Sequence, residues 1–313
     1  MVRIEIISGF LGAGKTTFIK KLIHYHRNIK EKIVLIENEY GEAGIDGILL
    51  RKEEVEVREL YAGCICCSLH EEFAQSVKDL IKEYQPDVII IEPSGVGKLS
   101  DILLGCDPVI KKKLAEITNC ITIVDVQKVE KYLHNFRTFY HDQLLYSDTI
   151  VFSKIDITDQ ETSKHAINKI KQTYPQKQMV SLITEMIQDD TLEFILGAPL
   201  HNTYNTNLSS QEATPSNFIH HHQHGEFSSW SYYPKKVYTN KELSSLLQTL
   251  ESGAYGTILR AKGFVKGSDD NYMEFSFVPG QQEIHTCTEA ESRLNVIGVG
   301  LRHEELERLF ADS

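Results

Sequence analysis

The residues with the most evident chemistry lie in a glycine-rich segment near the start of the chain. Residues 9–16 read GFLGAGKT, which fits the pattern G-x-x-x-x-G-K-[ST]. In such a loop, backbone N–H groups converge on phosphates, Lys15 contacts the β and γ phosphates, and the Thr16 hydroxyl binds Mg²⁺. The segment follows an apolar strand-like run and opens an amphipathic helix, whose dipole favours anions. We predict a triphosphate site formed by Gly9, Gly12, Ala13, Gly14, Lys15, Thr16 and Thr17.

Two later segments are candidates for the rest of a nucleotide site. Glu92 ends the most apolar run of the chain, and Gly95 follows it. An acid at a strand end suits Mg²⁺, through a bound water in the case of the longer Glu, and Gly95 offers its amide to the γ-phosphate. Residues 153–156 read SKID, which is similar to the [NTS]-K-x-D tetrad of P-loop GTPases, where the Asp carboxylate accepts the N1–H and N2–H₂ hydrogens of guanine. The predicted base-binding residues are Ser153, Lys154 and Asp156, and they favour GTP over ATP.

Three cysteines fall within four positions, at Cys64, Cys66 and Cys67. Ser68 and Glu71 form an S-x-x-E capping box, which places the thiols just before a helix, where thiolates are favoured. The spacing is not that of a structural C-x₂-C zinc knuckle. Such an incomplete sulfur site suits exchange of Zn²⁺ or a similar ion, although a redox switch and buried structural thiols remain open alternatives.

An acid-rich segment and a histidine cluster are further candidates. Residues 37–46 hold four acids and two glycines, so Glu39 and Glu42 are candidate metal ligands and Asp46 is a candidate for orienting an attacking water; a solvated acidic turn is the alternative. Residues 220–224 read HHHQH, which either binds metal weakly or forms a solvated linker. His24 and His26 are predicted to be surface residues of a Lys-rich helix, and Cys106, Cys120 and Cys287 are interpreted as packing residues.

The pattern of apolar residues predicts the elements that position these groups. Strands are expected at 2–8, 32–37, 88–92, 120–125, 149–153 and 179–183, with helices between them at 15–28, 71–84, 108–117, 137–146 and 160–174. This alternation is typical of α/β proteins with a doubly wound, mostly parallel sheet, here of the P-loop NTPase kind. We predict a nucleotide domain at 1–198, a polar His-containing linker at 199–225, and a smaller α+β domain at 226–313.

Composition excludes several functional classes. The 313 residues include 33 basic and 44 acidic side chains, a net charge of −11, which argues against a nucleic-acid partner. No apolar run reaches the 18 residues of a membrane span, and the N-terminus lacks the features of a signal peptide. Six cysteines are too few for a secreted disulfide scaffold. A cytoplasmic protein without a membrane partner is expected.

Taken together in this order, the motifs resemble those of the CobW-type P-loop GTPases, relatives of the nickel-enzyme accessory GTPases. The motifs are GFLGAGKT, EYGE at 39–42, GCICC at 63–67, EPSG at 92–95 and SKID. Tyr40 stands where Phe is common, and EPSG replaces the frequent E-[TC]-T-G. The resemblance implies slow GTP hydrolysis with Mg²⁺, coupled to binding Zn²⁺ or Co²⁺ at the cysteines and delivering it to a client metalloprotein. A nucleotide- or metal-dependent homodimer is a further expectation. The alternatives are an accessory G protein that gates cofactor loading, and a metal buffer.

Overall fold

The computed structural model describes residues 1–37, 56–59, 69–183, 187–197, 227–268, 271–287 and 291–311; at 56–59, 69 and 70 it describes the backbone alone. These residues belong to two compact units, one ending at Gly197 and one beginning at Phe227. Each unit is built around its own sheet.

The first unit contains a seven-stranded, entirely parallel sheet. Its strands are β1 (Val2–Gly9), β2 (Ile33–Glu37), β3 (Glu56–Glu59), β4 (Val88–Glu92), β5 (Ala115–Asp125), β6 (Thr149–Ser153) and β7 (Gln178–Ser181). The spatial order is β3-β2-β4-β1-β5-β6-β7. All residues of β2, β4 and β6 are buried, because helices cover both faces of a parallel sheet. The predicted α/β architecture is confirmed.

The helices of this unit follow the strands along the chain. They are α1 (Lys15–Asn28), α2 (Leu69–Tyr84), α3 (Leu99–Lys111), α4 (Val129–Asn135), α5 (Arg137–Tyr146), α6 (Gln160–Thr173) and α7 (Asp189–Leu196). The helix expected at 108–117 is wrong. Leu99, Ile102 and Val109 form part of a buried stripe at helical spacing, so α3 begins earlier and contains Pro108 within it. The predicted start of β5 was correspondingly five residues late, since Ala115 already pairs with Val2.

The second unit is a six-stranded sheet with two helices and a short 3₁₀ turn. Its elements are β8 (Phe227–Tyr232), β9 (Val237–Tyr238), α8 (Asn240–Thr249), β10 (Thr257–Gly267), β11 (Tyr272–Val278), β12 (Gln281–Cys287), β13 (Arg293–Val299) and α9 (His303–Ala311). The order is β12-β11-β10-β13-β8, with antiparallel neighbours, and β9 pairs in parallel with β10. The predicted α+β fold is confirmed. Thr239 is the N-cap of α8, and it forms a capping box with Glu242.

His26 lies in a buried ion-pair network, which corrects the prediction of a surface residue. Its side chain is 1% exposed. The Nε2 atom lies 3.0 Å from Glu5 Oε2 and the Nδ1 atom lies 2.8 Å from Glu31 Oε2. Burial alone lowers the pKa of His26, but hydrogen bonds to and charges on Glu5 and Glu31 outweigh burial and raise it. An imidazolium that donates both N–H groups fits this arrangement, because ionised carboxylates only accept.

We expect His26→Gln to remove a pH-dependent part of the stability, on the order of 1–3 kcal/mol for hydrogen bonds between charged groups. Since the pKa of His26 is raised on folding, its contribution is fully present below about pH 6.5 and is lost as the pH rises through the folded-state pKa. Urea unfolding of the variant and the unmodified protein across this range measures the difference. His24→Gln, an exposed change on the same helix, is the control; a constant difference at every pH would contradict the prediction.

Candidate functional site

The glycine-rich loop runs from the end of β1 into the first turn of α1. Gly14 precedes this helix with a φ of 101°, a left-handed conformation that suits glycine, and among the described residues no side chain caps the helix. Gly9 is required by close approach, since a Cβ there would lie 2.5 Å from the carbonyl oxygen of Ile123 on β5. The uncapped first-turn amides of α1 therefore offer hydrogen bonds to an anion.

The structure brings Lys15, Thr16 and Glu92 together. Lys15 Nζ donates to the Gly9 carbonyl oxygen at 3.0 Å and lies 3.9 Å from Glu92 Oε1. Thr16 Oγ1 lies 3.5 Å from the same carboxylate oxygen. Lys15 is 5% exposed and Glu92 6%, so this ion pair is buried even though it stands at a loop–helix junction. Strand β4 delivers Glu92 to this point because it is the immediate neighbour of β1.

A second buried carboxylate, Glu37, stands beside this group. It ends β2 and is paired in register with Glu92 at the end of β4. Its side chain is 1% exposed. The sequence analysis counted Glu37 only as one of the four acids of segment 37–46 and did not single it out, although an acid at the carboxyl end of an apolar strand is the same signal that identified Glu92. Two adjacent carboxylates and the Thr16 hydroxyl form a set of hard oxygen donors of the kind that Mg²⁺ prefers.

Aromatic side chains of α4 and α5 pack against Phe10 of the glycine-rich loop. The Phe10 ring lies 4.4 Å from that of Tyr132 on α4 and 6.0 Å from that of Tyr140 on α5, measured between centroids. Tyr132 donates its hydroxyl to the Leu11 carbonyl oxygen at 3.4 Å. Burial is the main cause that raises the pKa of the Tyr132 hydroxyl, so it remains a donor. This packing holds the loop in place through groups that do not bind phosphate.

The predicted base-binding segment follows β6, and its three residues play different structural parts. Ser153 Oγ donates to the Ala13 carbonyl oxygen at 2.7 Å, so its side chain joins β6 to the glycine-rich loop. Lys154, with a φ of 60°, places Nζ 2.8 Å from Asp125 Oδ2 at the end of β5. Asp156 is exposed, so its carboxylate is accessible to a base. Asp125, which is 4% exposed, was missed by the sequence reasoning.

Replacing Asp156 with Asn is expected to weaken GTP binding by about 1–3 kcal/mol, because an amide donor would then face the donors of guanine. Affinities for GTP and ATP measured on the variant and the unmodified protein test this. Asp159→Asn is a matched control three residues away: Asp159 caps α6 by accepting from the Thr162 amide, and Asn preserves such a cap. Equal binding of GTP and ATP by the unmodified protein would overturn the predicted role of Asp156.

Several predicted site residues lie outside the described residues. They are Cys64, Cys66, Cys67, Glu39, Glu42, Asp46, Ser68, the segment 199–225 and the histidines at 220–224. Within the part of the chain that the structure describes, no group of three or more His, Cys, Asp or Glu side chains is arranged to hold a metal ion. The described cysteines Cys106 and Cys120 are fully buried, and burial raises the pKa of the Cys106 thiol to about 12.

The parallel sheet, the glycine-rich loop at the end of β1 and the buried lysine–carboxylate pair define a protein of the P-loop NTPase class. The family model for the CobW/HypB/UreG nucleotide-binding domain matches residues 3–181. The model for the cobalamin synthesis protein CobW C-terminal domain matches residues 227–313. The chain belongs to the CobW/HypB/UreG family, which confirms the resemblance carried by the motifs.

Similar curated proteins include the zinc chaperone YeiR of Escherichia coli, 34% identical over 166 residues, which are 52% of this chain and 50% of that protein. Another is zinc-regulated GTPase metalloprotein activator 1 of Dictyostelium discoideum, 23% identical over 83% of this chain and 62% of that protein. The chain therefore spans half to under two thirds of the length of these relatives.

Solved structures with similar chains include zinc-bound YjiA GTPase of Escherichia coli, with a TM-score of 0.45, 20% identity, and coverage of 99% of this chain and 98% of that one. The hydrogenase maturation factor HypB of Archaeoglobus fulgidus has a TM-score of 0.43 at 19% identity, covering 63% and 90% of the two chains. Within the described ranges, no helix has the length and apolar character needed to cross a membrane.

Proposed function

We propose that this protein binds and slowly hydrolyses GTP, and that it uses the nucleotide cycle to bind Zn²⁺ or Co²⁺ and deliver it to a client metalloprotein. The observation that carries the proposal is the convergence of Lys15, Thr16 and Glu92 at the uncapped start of α1. The naming of relatives as zinc chaperones and as a zinc-regulated GTPase supports the metal as cargo.

The donor set around Thr16 fits Mg²⁺. Thr16 would bind the ion directly, and Glu92, whose nearer oxygen lies 3.5 Å from Thr16 Oγ1, would hold it through water. When bound, Mg²⁺ neutralises charge on the β and γ phosphates. Lys15 is already placed by the Gly9 carbonyl, so its ammonium contacts the phosphates without large rearrangement. The first-turn amides of α1 and the amide of Gly95 complete the phosphate contacts.

The base is proposed to bind at Asp156, with Lys154 held in position by Asp125. We recognise no arginine finger or catalytic glutamine of a fast GTPase in the sequence, so intrinsic turnover is proposed to be slow. Asp46 is the proposed residue that orients the attacking water. It lies in the chain between β2 and β3, two strands that end at the same edge of the sheet as β1.

The metal is proposed to bind at Cys64, Cys66 and Cys67, with Glu39 and Glu42 as oxygen ligands. These cysteines begin five residues after Glu59, the last residue of β3. Strand β3 lies two positions from β4 in the sheet, and neighbouring strands are about 4.8 Å apart. The last described residue before the cysteines therefore ends a strand two positions from the one that ends in Glu92, which supports control of the metal site by the nucleotide.

Metal affinity in three nucleotide states tests this proposal. Zn²⁺ and Co²⁺ are titrated into the nucleotide-free protein, the GDP complex and the complex with a non-hydrolysable GTP analogue, each with Mg²⁺. A chaperone of this kind binds the metal most tightly with the GTP analogue and releases it with GDP. Superimposable titrations in the GDP and GTP-analogue states would replace the chaperone with a metal buffer. Client activation that survives loss of the cysteines would instead favour a gating accessory protein.

The match to the nucleotide-binding domain model ends at residue 181, and the match to the C-terminal domain model begins at residue 227. This interval supports the proposed organisation into a GTPase domain at 1–198, a linker at 199–225 and a C-terminal domain at 226–313. A homodimer that forms with nucleotide or metal is proposed as well; sedimentation in the same three nucleotide states measures it.

A further inference from the structure

The loop that follows Glu92 rests directly on the glycine-rich loop. It comprises residues 93–98 and leads into α3. A Cβ at Gly95 would lie 2.7 Å from Leu11 Cδ2 and 2.9 Å from the Leu11 amide nitrogen, so the two backbones pack without room for a side chain. A small movement of residues 93–98 would therefore change their position relative to the glycine-rich loop, where the phosphates are proposed to bind.

The side chain of Gln143, on α5, holds this loop from the side. Its Nε2 atom donates to the carbonyl oxygens of Gly95 at 3.2 Å and Gly97 at 2.9 Å. Because both partners are carbonyl oxygens, the amide can face them only with its nitrogen. Gln143 is fully buried, and its Oε1 atom accepts no hydrogen bond from the described residues. Both hydrogen bonds of the amide nitrogen therefore go to this loop, and the side chain is closed off from solvent.

The preceding residue of α5 fixes the other end of the same loop. Asp142 accepts from the Ser100 amide at 3.0 Å and from Ser100 Oγ at 2.7 Å, in the first turn of α3. Burial raises the pKa of Asp142, against the hydrogen bonds from Ser100 that lower it. The same helix contributes Tyr140 to the aromatic support of the glycine-rich loop. Helix α5 thus contacts both loops of the phosphate site.

We infer that Gln143 is a positioning residue that sets the place of loop 93–98 against the glycine-rich loop, and thereby the ability of the site to distinguish GTP from GDP. This inference rests on the proposed GTP site. Without the two N–H groups of the amide, the carbonyl oxygens of Gly95 and Gly97 lose their donors in a buried setting, and the loop shifts to regain hydrogen bonds. Lys15, which is proposed to contact the β-phosphate, donates to the Gly9 carbonyl oxygen, outside this loop.

Gln143→Met tests the inference because it keeps a similar volume and removes both donors. In the nucleotide-free protein, amide exchange within residues 93–98 should accelerate about tenfold, the effect of losing one or two hydrogen bonds. Affinity for a GTP analogue and kcat for GTP should each fall about tenfold, with GDP affinity within about threefold of the unmodified protein. Thr122→Val is the matched control, since it removes a buried hydrogen bond to the main chain of Gln143 and leaves the amide in place.

Gln143→Glu provides a second variant with a separate readout. An ionised carboxylate has no donor for the two carbonyls, whereas the protonated acid donates one hydrogen bond, so discrimination between GTP and GDP should partly return as the pH falls. If amide hydrogen exchange within residues 93–98 were the same in Gln143→Met as in the unmodified protein, the inference would be wrong, whichever nucleotide binds. Equal losses of GTP affinity and GDP affinity in Gln143→Met would also overturn it. Absence of GTP binding by the unmodified protein would instead overturn the proposed function.

Discussion

Lys15→Ala is expected to reduce kcat/KM for GTP by on the order of 10²–10³ or more, the effect of removing one fixed donor from a charge-stabilising site. The ammonium is already held by the Gly9 carbonyl 3.0 Å away and paired with Glu92 at 3.9 Å. Its loss therefore removes a phosphate contact and also leaves the buried Glu92 carboxylate to repel the γ-phosphate. Nucleotide affinity and single-turnover hydrolysis measure the two consequences separately.

The chain should remain folded after this change, because the apolar core of α1 remains intact, but its melting temperature should fall since the buried Glu92 carboxylate loses the Lys15 ammonium. Circular dichroism and the melting temperature check it. Lys20→Ala makes the same substitution five residues further along α1, away from the loop, and should leave hydrolysis within about twofold. Hydrolysis by Lys15→Ala at the original rate would show that the active site had been misplaced.

Cys66→Ser is expected to weaken Zn²⁺ or Co²⁺ binding at least about a hundredfold while leaving GTP affinity unchanged. Serine replaces a thiolate with a hydroxyl, a poor ligand for these ions, and even outer-shell changes cost roughly 10–100-fold. Thiolate-to-Co²⁺ charge transfer should appear with a GTP analogue in the unmodified protein, fade with GDP, and be lost in the variant. By linkage, metal should tighten GTP binding by the same factor by which GTP tightens metal binding.

Cys287→Ser is the control for this experiment, since that cysteine lies half-buried at the end of β12 in the second unit. Cys106 is not a competing ligand, because burial raises the pKa of its thiol to about 12 and keeps it protonated. Metal binding that persists in Cys66→Ser with the same charge-transfer band would place the metal site elsewhere in the chain.

Local patterns in the sequence were sufficient to predict most of the helices and strands of the first unit. The bounds of α1, β4, α5 and β6 agree with the structure. In the two helices the apolar residues recur at helical spacing, and the two strands are short apolar runs, so each element has a single clear pattern in the sequence. The predictions were wrong where two local signals competed. At 108–117, a proline that often starts helices obscured the earlier stripe of Leu99 and Ile102. Strand β3, with four residues, and helix α7, with eight, are too short for a repeating apolar pattern to stand out.

The sequence by itself determined which residues carry phosphate chemistry, because a loop such as 9–16 requires glycines, a lysine and a hydroxyl at fixed spacing along the chain. Only the tertiary structure decided which distant groups meet them. Strand β4 lies between β2 and β1, far from its place in chain order, and this alone sets Glu92 beside Lys15 and in register with Glu37. The contacts of Gln143 with loop 93–98 likewise depend on the packing of α5 against α3. Local spacing determines elements, whereas strand order and helix contacts follow from burial of the whole apolar surface, to which residues far apart in the chain contribute together.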